Sequence, residues 1–309
     1  MKKIFIDGSV GTTGLRIAER LAGRTDLEIL FLPEDKRKDP ASRKEMLNTA
    51  DISFLCLPDD ASREAVSMVE NPNSVIIDAS TAHRTLPDWA YGFPELGKEF
   101  LDKLQKSNRI AVPGCHASGF IALVYPLIKN GILDKDTLFS AHSLTGYSGG
   151  GKKMIADYES GDRNTLLDSP RQYGITQAHK HLPEMVKITG IATAPIFSPI
   201  VGDFYSGMQV TVPIFSKWLK YGNLQTLKEI YADLYNGDIV KFVDGGDESG
   251  FLSTTKLGGK DGMQIEVFGN DERILLVARY DNLGKGASGA AIECMNYKLG
   301  VAPKTGLIL

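Results

Sequence analysis

A short β-type run, Lys3 to Asp7, passes directly into Gly8-Ser9-Val10-Gly11-Thr12-Thr13-Gly14, and Leu15, Ile17, Ala18 and Leu21 then recur at helical spacing. Strand, glycine loop, helix is the context that a dinucleotide-binding fingerprint requires. Glycines there permit a tight turn, let backbone approach a pyrophosphate and let the helix pack close on the strand, while the helix N-terminus faces the phosphates. Gly8, Ser9, Gly11, Thr12, Thr13 and Gly14 are therefore candidate cofactor contacts. The spacing is GxxGxxG rather than the commoner GxGxxG, and an ordinary tight turn is the alternative.

The alternation continues along the chain. Further strand-like runs occur at Glu28–Leu32, Asp51–Leu57, Ser74–Asp78 and Arg109–Val112, separated by helical stretches at Ala41–Asn48, Ala61–Glu70 and Gly97–Lys106. This pattern predicts an α/β fold with a parallel, doubly wound sheet of Rossmann type, whose ligands bind beyond the carboxyl ends of the strands. The loops at those ends are the glycine loop, Pro58-Asp59-Asp60, Ser80-Thr81-Ala82-His83-Arg84 and Gly114-Cys115, which adds Pro58 and Ser80 to the cofactor candidates. Leu32-Pro33-Glu34-Asp35-Lys36-Arg37-Lys38 ends the second strand with a mixed signal. Glu34 or Asp35 suits the ribose hydroxyls of NAD, and Lys36, Arg37 and Lys38 suit the 2′-phosphate of NADP.

Beyond Ile132 the character changes. Alternating runs at Leu138–Leu144, Ile191–Pro195, Met208–Phe215, Met263–Phe268 and Ile274–Tyr280, with a helix at Leu224–Tyr235, predict a second, α+β domain built on an antiparallel sheet. The expected division is 1–114 for nucleotide binding and 115–284 for catalysis and self-association. The helical segment from 285 to 309, rich in small residues at Gly286-Ala287-Ser288-Gly289-Ala290-Ala291, returns to complete the first domain.

Cys115 lies in Val112-Pro113-Gly114-Cys115-His116-Ala117-Ser118-Gly119, between a buried-strand run and apolar residues at helical spacing. At a helix start, unpaired N–H groups and the positive dipole end stabilise a thiolate, the species that attacks an acyl carbon. A buried structural cysteine is the alternative. Cys56 and Cys294, in an apolar strand and a C-terminal helix, read as core. Three widely spaced cysteines make neither a disulfide framework nor a metal knuckle.

Ala178-His179-Lys180-His181-Leu182-Pro183-Glu184 places two of five histidines and a carboxylate together. If the segment before Pro183 is extended, His179 and His181 face one way. One of them then serves as general acid and base, with Glu184 orienting the ring. A structural pair is the alternative, and a metal site is disfavoured because the spacing is not HExxH and no third ligand cluster follows. His83 and His116 stand beside site loops. The glycine-rich Leu144–Lys153 loop, through Gly149, and Asn282, as a carboxamide partner, complete the cofactor candidates; a surface hairpin is the alternative for that loop.

A net charge of −3 without a long basic stripe argues against nucleic acid as a partner. The chain has no signal-peptide pattern before the first strand and no apolar run near the roughly 20 residues of a membrane span, so a cytoplasmic enzyme is expected.

In order, these motifs resemble the N-acetyl-γ-glutamyl-phosphate reductase family. They are the GxxGxxG loop, Pro-Gly-Cys at Cys115, His-x-His-x-Pro-Glu at His179, and Asn-Leu-x-Lys-Gly-Ala-Ser-Gly from Asn282. The shorter form of that family is matched by Asp78-Ala79-Ser80-Thr81-Ala82-His83-Arg84 and Tyr91-Gly92-Phe93-Pro94-Glu95-Leu96. The resemblance implies a second domain like that of glyceraldehyde-3-phosphate dehydrogenase and a homodimer or homotetramer assembled through its sheet. It implies NADP(H) as cofactor and reduction of a small-molecule acyl phosphate through a Cys115 thioester. Either His179 or His181 then moves the proton, and Arg84, or Lys152 and Lys153, holds the substrate phosphate or carboxylate. An aspartate-semialdehyde dehydrogenase or amino-adipyl analogue, and a non-catalytic NADP-binding regulator, are the rival readings.

Overall fold

The computed structural model describes residues 1–309. The chain forms two compact units, 1–114 with 287–308, and 115–286 with Leu309.

The first unit holds strands β1 (Lys2–Asp7), β2 (Leu27–Leu30), β3 (Ile52–Leu55), β4 (Val75–Asp78), β5 (Ala90–Tyr91) and β6 (Arg109–Ala111). They form one parallel sheet in the order β2-β1-β3-β4-β6-β5. Its helices are α1 (Thr12–Leu21), α2 (Pro40–Thr49), α3 (Asp59–Ser67) and α4 (Lys98–Lys106). β3 and β4 are buried at every position, the mark of strands covered on both faces. Ile17, Leu21 and Leu104 pack one side together with Ala290, Ala291, Ile292 and Met295 from the C-terminal helix, while Leu47 and Ala65 pack the other. Each fully buried Ile or Leu stabilises the unit by about 1.5–3 kcal/mol. The strand order reverses between β1 and β3, which puts the glycine loop after β1 at the switch point where such sheets bind ligands.

The second unit holds β7 (Ser140–Gly146), β8 (Arg171–Gln172), β9 (Ile196–Gly202), β10 (Met208–Phe215), β11 (Val240–Phe242), β12 (Met263–Gly269) and β13 (Arg273–Tyr280). Their order is β11-β12-β13-β10-β7-β9-β8. This sheet corrects the antiparallel expectation: β7 with β9 and β11 with β12 run parallel, and the other pairs antiparallel. The run Ile191–Pro195 is also not a strand. Gly190, in the left-handed conformation, ends the preceding helix, and pairing starts at Ile196, whose N–H donates to the Phe139 carbonyl at 2.9 Å.

Helices α5 (Cys115–Lys129), α6 (Gly151–Glu159), α7 (Leu182–Thr189) and α8 (Leu224–Leu234) belong to this unit, and α9 (Gly289–Leu299) returns to the first. Met208, Val210, Val212 and Ile214 alternate inward on β10 toward the face that α5 covers, whereas Phe215 and Leu275 are half-exposed on the opposite face. α5 carries Pro126 in its interior, which frees the Ala122 carbonyl four residues back. The Tyr235 hydroxyl donates to that carbonyl at 2.7 Å, and the Tyr231 hydroxyl donates to the Leu123 carbonyl beside it. The two tyrosines thereby satisfy carbonyls in the middle of the helix that begins with Cys115.

Candidate active site

Cys115 is the first residue of α5, partly exposed, directly after Pro113 and Gly114. The Tyr280 hydroxyl, fully buried at the end of β13, donates to the Cys115 carbonyl at 2.5 Å and accepts from the Gly119 N–H at 3.0 Å. One phenol thus bridges residues i and i+4 of the first helical turn. Gly119 makes room for it, since a Cβ there would lie 2.7 Å from that hydroxyl and 2.6 Å from Val210 Cγ2.

Three imidazoles gather beside this turn. The ring of His116 lies 5.5 Å from that of His179 and 5.6 Å from that of His181, and the latter two are 4.8 Å apart. The pair comes together by a route other than the extended one expected. His181 is the cap residue of α7 in a helical conformation, its N–H donates to His179 Nδ1 at 3.2 Å, and Pro183 sits in the first turn, where no donor is lost. With Nδ1 accepting, neutral His179 carries its proton on Nε2. Burial first, then the Lys180 charge, pushes the His179 pKa down to about 4. Glu184 is buried in the first turn of α7. The rings pack edge-on, and no three histidine, cysteine or carboxylate side chains are arranged to hold a metal ion.

His116 gives a stability prediction. Burial first, then His179 and Lys180, pushes its pKa down to about 3 from 6.5. The unfolded chain therefore takes up this proton first. Stability from the neutral ring is complete above about pH 6.5 and is lost as pH falls from there toward 3, at up to about 1.4 kcal/mol per pH unit. Urea midpoints followed down this range should fall less steeply for His116→Asn than for the parent; equal slopes contradict the assignment.

Asn282 is buried, its amide oxygen accepting from the Gly207 N–H at 3.0 Å and its nitrogen donating to Ser148 Oγ at 2.9 Å. Its amide pins the loop that carries Gly149, whose Cα hydrogen faces Asn282 Nδ2. Asp281 beside it accepts from the N–H groups of Leu283 and Gly284 and from the Ser206 hydroxyl. Lys152 and Lys153 are exposed in the first turn of α6, whose N-terminus lacks a side-chain cap.

In the first unit the glycine loop is built as a cradle. A Cβ on Gly8, which has φ +85°, would lie 2.3 Å from the Cys56 carbonyl oxygen, and one on Gly14 would lie 2.5 Å from that of Gly8. Gly11 caps α1 without a side chain, leaving the helix N-terminus of Thr12 and Thr13 open next to Ser9. These residues fit a pyrophosphate. Asp7 beneath the loop is paired with Arg43 at 3.0 Å.

Pro58 caps α3. Ser80 donates its N–H and hydroxyl to Asp78, a fully buried carboxylate that also receives Ser62 and lies 2.6 Å from His83 Nδ1. Arg84 is buried, with Nε on the Val112 carbonyl at 2.8 Å and an NH2 on that of Ala79 at 3.0 Å, so its guanidinium braces the loop after β4 against the end of β6. Cys56 is no rival to Cys115: burial first, then Asp78 and Asp7, pushes its thiol up to about 12. Tyr280, Tyr173 and Ser143 escape sequence reading, because no motif or spacing ties a tyrosine or serine in a distant strand to a helix start.

Comparison with known proteins follows the same division. Residues 3–104 match a family model described as semialdehyde dehydrogenase, NAD binding domain, and 115–282 one described as semialdehyde dehydrogenase, dimerisation domain. The chain is 48% identical over 305 residues to an N-acetyl-gamma-glutamyl-phosphate reductase of Rhizobium meliloti, covering 96% of this chain and 98% of that one. It is 44% identical over 307 residues to one of Burkholderia lata, covering 97% and 96%. Among solved structures, aspartate semialdehyde dehydrogenase II from Vibrio cholerae superposes with a TM-score of 0.73 at 16% identity, covering 97% of this chain and 98% of that one. The aspartate semialdehyde dehydrogenase from Francisella tularensis gives 0.72 at 14%, covering 96% and 99%.

Proposed function

The chain belongs to the N-acetyl-γ-glutamyl-phosphate reductases of the semialdehyde dehydrogenase family, and from that premise we propose that it reduces N-acetyl-L-glutamyl 5-phosphate to the 5-semialdehyde of arginine biosynthesis through a Cys115 thioester, with NADPH as reductant. One observation carries this reading: Cys115 heads α5, and the imidazoles of His116, His179 and His181 gather beside that turn.

The Cys115 thiolate attacks the γ-carbonyl carbon; a C–S bond forms, the C–O bond to phosphorus breaks, and inorganic phosphate leaves. A bound reduced nicotinamide dinucleotide supplies the hydride that converts the thioester to a thiohemiacetal. The hydroxyl proton then passes back to a histidine as the C–S bond breaks, which releases the semialdehyde and restores the thiolate. His179, more accessible than His181 and with its proton on Nε2, is the better placed to donate to the tetrahedral oxygen. N–H groups of the first turn of α5 stabilise the same oxygen.

The cradle of Gly8, Ser9, Gly11, Thr12, Thr13 and Gly14 takes the pyrophosphate, with Pro58 and Ser80 at neighbouring strand ends, and the exposed Lys36, Arg37 and Lys38 suit a 2′-phosphate. The Asn282 amide holds the loop that carries Gly149, and both residues are further candidates for cofactor contact. Two cations in the first turn of a helix are unfavourable with respect to its dipole, and an anionic substrate group offsets that cost. Lys153→Met is expected to raise KM for the acyl phosphate about tenfold with kcat little changed; an unchanged KM removes that lysine from substrate binding. The half-exposed Phe215 and Leu275 face of the second sheet suits assembly as a homodimer or homotetramer. No helix is long and apolar enough to cross a membrane. A cytoplasmic setting keeps the Cys115 thiol reduced.

The test is the reverse reaction, with N-acetylglutamate semialdehyde, NADP and phosphate, followed by absorbance as NADPH forms. Aspartate semialdehyde and NAD run alongside. A phosphate-dependent signal with the acetylated substrate and NADP supports the reading, and a signal with aspartate semialdehyde alone overturns the substrate.

A further inference from the structure

The residue after Cys115 is a buried histidine that the mechanism above leaves unused. His116 Nδ1 lies 2.7 Å from Ser143 Oγ, and its Nε2 lies 2.6 Å from the Tyr173 hydroxyl. The proton order in this chain follows from its buried end. Ser143, on β7, is fully buried, and His116 Nδ1 is the hydrogen-bond partner of its hydroxyl. A buried hydroxyl proton has to be donated, so Ser143 donates to Nδ1. Neutral imidazole with Nδ1 accepting carries its proton on Nε2, and Nε2–H donates to the Tyr173 oxygen. The Tyr173 phenol therefore keeps its own proton outside the chain.

The phenol stands in a cluster with one nucleophile in it. The Tyr173 ring lies 6.0 Å from His116 and 6.1 Å from His179. Burial and then the Cys115 charge push the phenol's pKa upward, so it stays a donor wherever Cys115 is a thiolate. Lys180 and His179 from the turn before α7, His181 at its cap, Glu184 from its first turn and Tyr280 from β13 are the other titratable groups around Cys115 and His116.

We propose that Ser143 and His116 are positioning residues that turn the Tyr173 O–H outward as a hydrogen-bond donor to the negative charge at Cys115, first on the thiolate and then on the tetrahedral oxygen. This inference rests on the reading of Cys115 as the nucleophile, and its test needs no substrate.

The experiment is alkylation of Cys115 by iodoacetamide against pH, read on the Cys115 peptide by mass spectrometry, with thermal unfolding of each variant measured in parallel. Losing a hydrogen bond to a thiolate should raise the labelling midpoint of Tyr173→Phe by roughly one pH unit, about tenfold slower labelling below the midpoint. Ser143→Ala releases Nδ1 to carry the proton, draws the Tyr173 proton back onto Nε2 and shifts the midpoint the same way. The double variant should shift no further than Tyr173→Phe alone, because one chain is broken only once. Ser143→Thr keeps a hydroxyl and should restore the parent midpoint, which a merely space-filling role would not do. An unchanged midpoint in a folded Tyr173→Phe, or additive shifts in the double variant, overturns the proposal. Where Tyr173→Phe fails to fold, equal midpoints for Ser143→Ala and Ser143→Thr overturn it. A chain inactive on the acyl phosphate that still shows these shifts would lose the reductase reading and keep this one.

Discussion

Cys115→Ala loses reductase turnover by about 10⁴-fold or more and still binds the reduced cofactor. The change removes one sulfur from the first turn of α5 and leaves the backbone N–H groups, the Tyr280 bridge and the three imidazoles in place. Cofactor affinity resides in the first unit, whose glycine cradle the substitution does not touch. Cys115→Ser should fail nearly as completely, because an alcohol is not ionised near neutral pH even at a helix start, whereas a thiol there is. Steady-state turnover together with cofactor fluorescence titration checks both variants. Retained turnover in the alanine variant removes the covalent mechanism altogether.

Glu266→Ala should lower unfolding stability by about 3–5 kcal/mol. Arg279 and Glu266 are both fully buried, on β13 and β12. The guanidinium donates to Glu266 at 2.7 and 2.6 Å, to Glu248 at 2.8 Å and to the Gly246 carbonyl at 2.6 Å. Removing Glu266 leaves most of a cation in the sheet's interior with its charge half-balanced, and that penalty exceeds what the pair contributed while intact. Arg279 immediately precedes Tyr280, so activity should fall along with the denaturation midpoint. Replacing both partners by methionine should recover much of the stability, since no uncompensated charge is then buried. A loss below about 1 kcal/mol for Glu266→Ala would mean that water reaches the guanidinium.

The first unit was legible because its signals are local. Gly8 and Gly14 stand where a Cβ would strike backbone, and a fully buried run such as Ile52–Leu55 reads as an interior parallel strand. Cys115 was legible for the same reason, as a strand end, a Pro-Gly turn and a helix pattern are contiguous in sequence. Pairing direction in the second sheet was not, because β7 and β9 meet in parallel across more than fifty residues and period-two alternation is the same for either direction. An extended backbone is what the sequence offers for bringing His179 and His181 to one side, whereas in the structure their rings meet through a helical turn. Proline disfavours helix before it, yet in the first turn it costs no hydrogen bond, and α7 begins at Leu182. Arg84 reads from sequence as a candidate anion clamp, and its donation to the carbonyls of Val112 and Ala79 is a contact that no motif announces.

The most direct test of the thioester account is to run the reverse reaction without phosphate and look at the protein itself. With N-acetylglutamate semialdehyde and NADP, one equivalent of NADPH should form, and digestion followed by mass spectrometry should find an N-acetylglutamyl group on the peptide bearing Cys115. Adding phosphate should discharge that group as the acyl phosphate and let turnover resume. NADPH formation with an unmodified Cys115, or an acyl group found on another residue, would contradict the account.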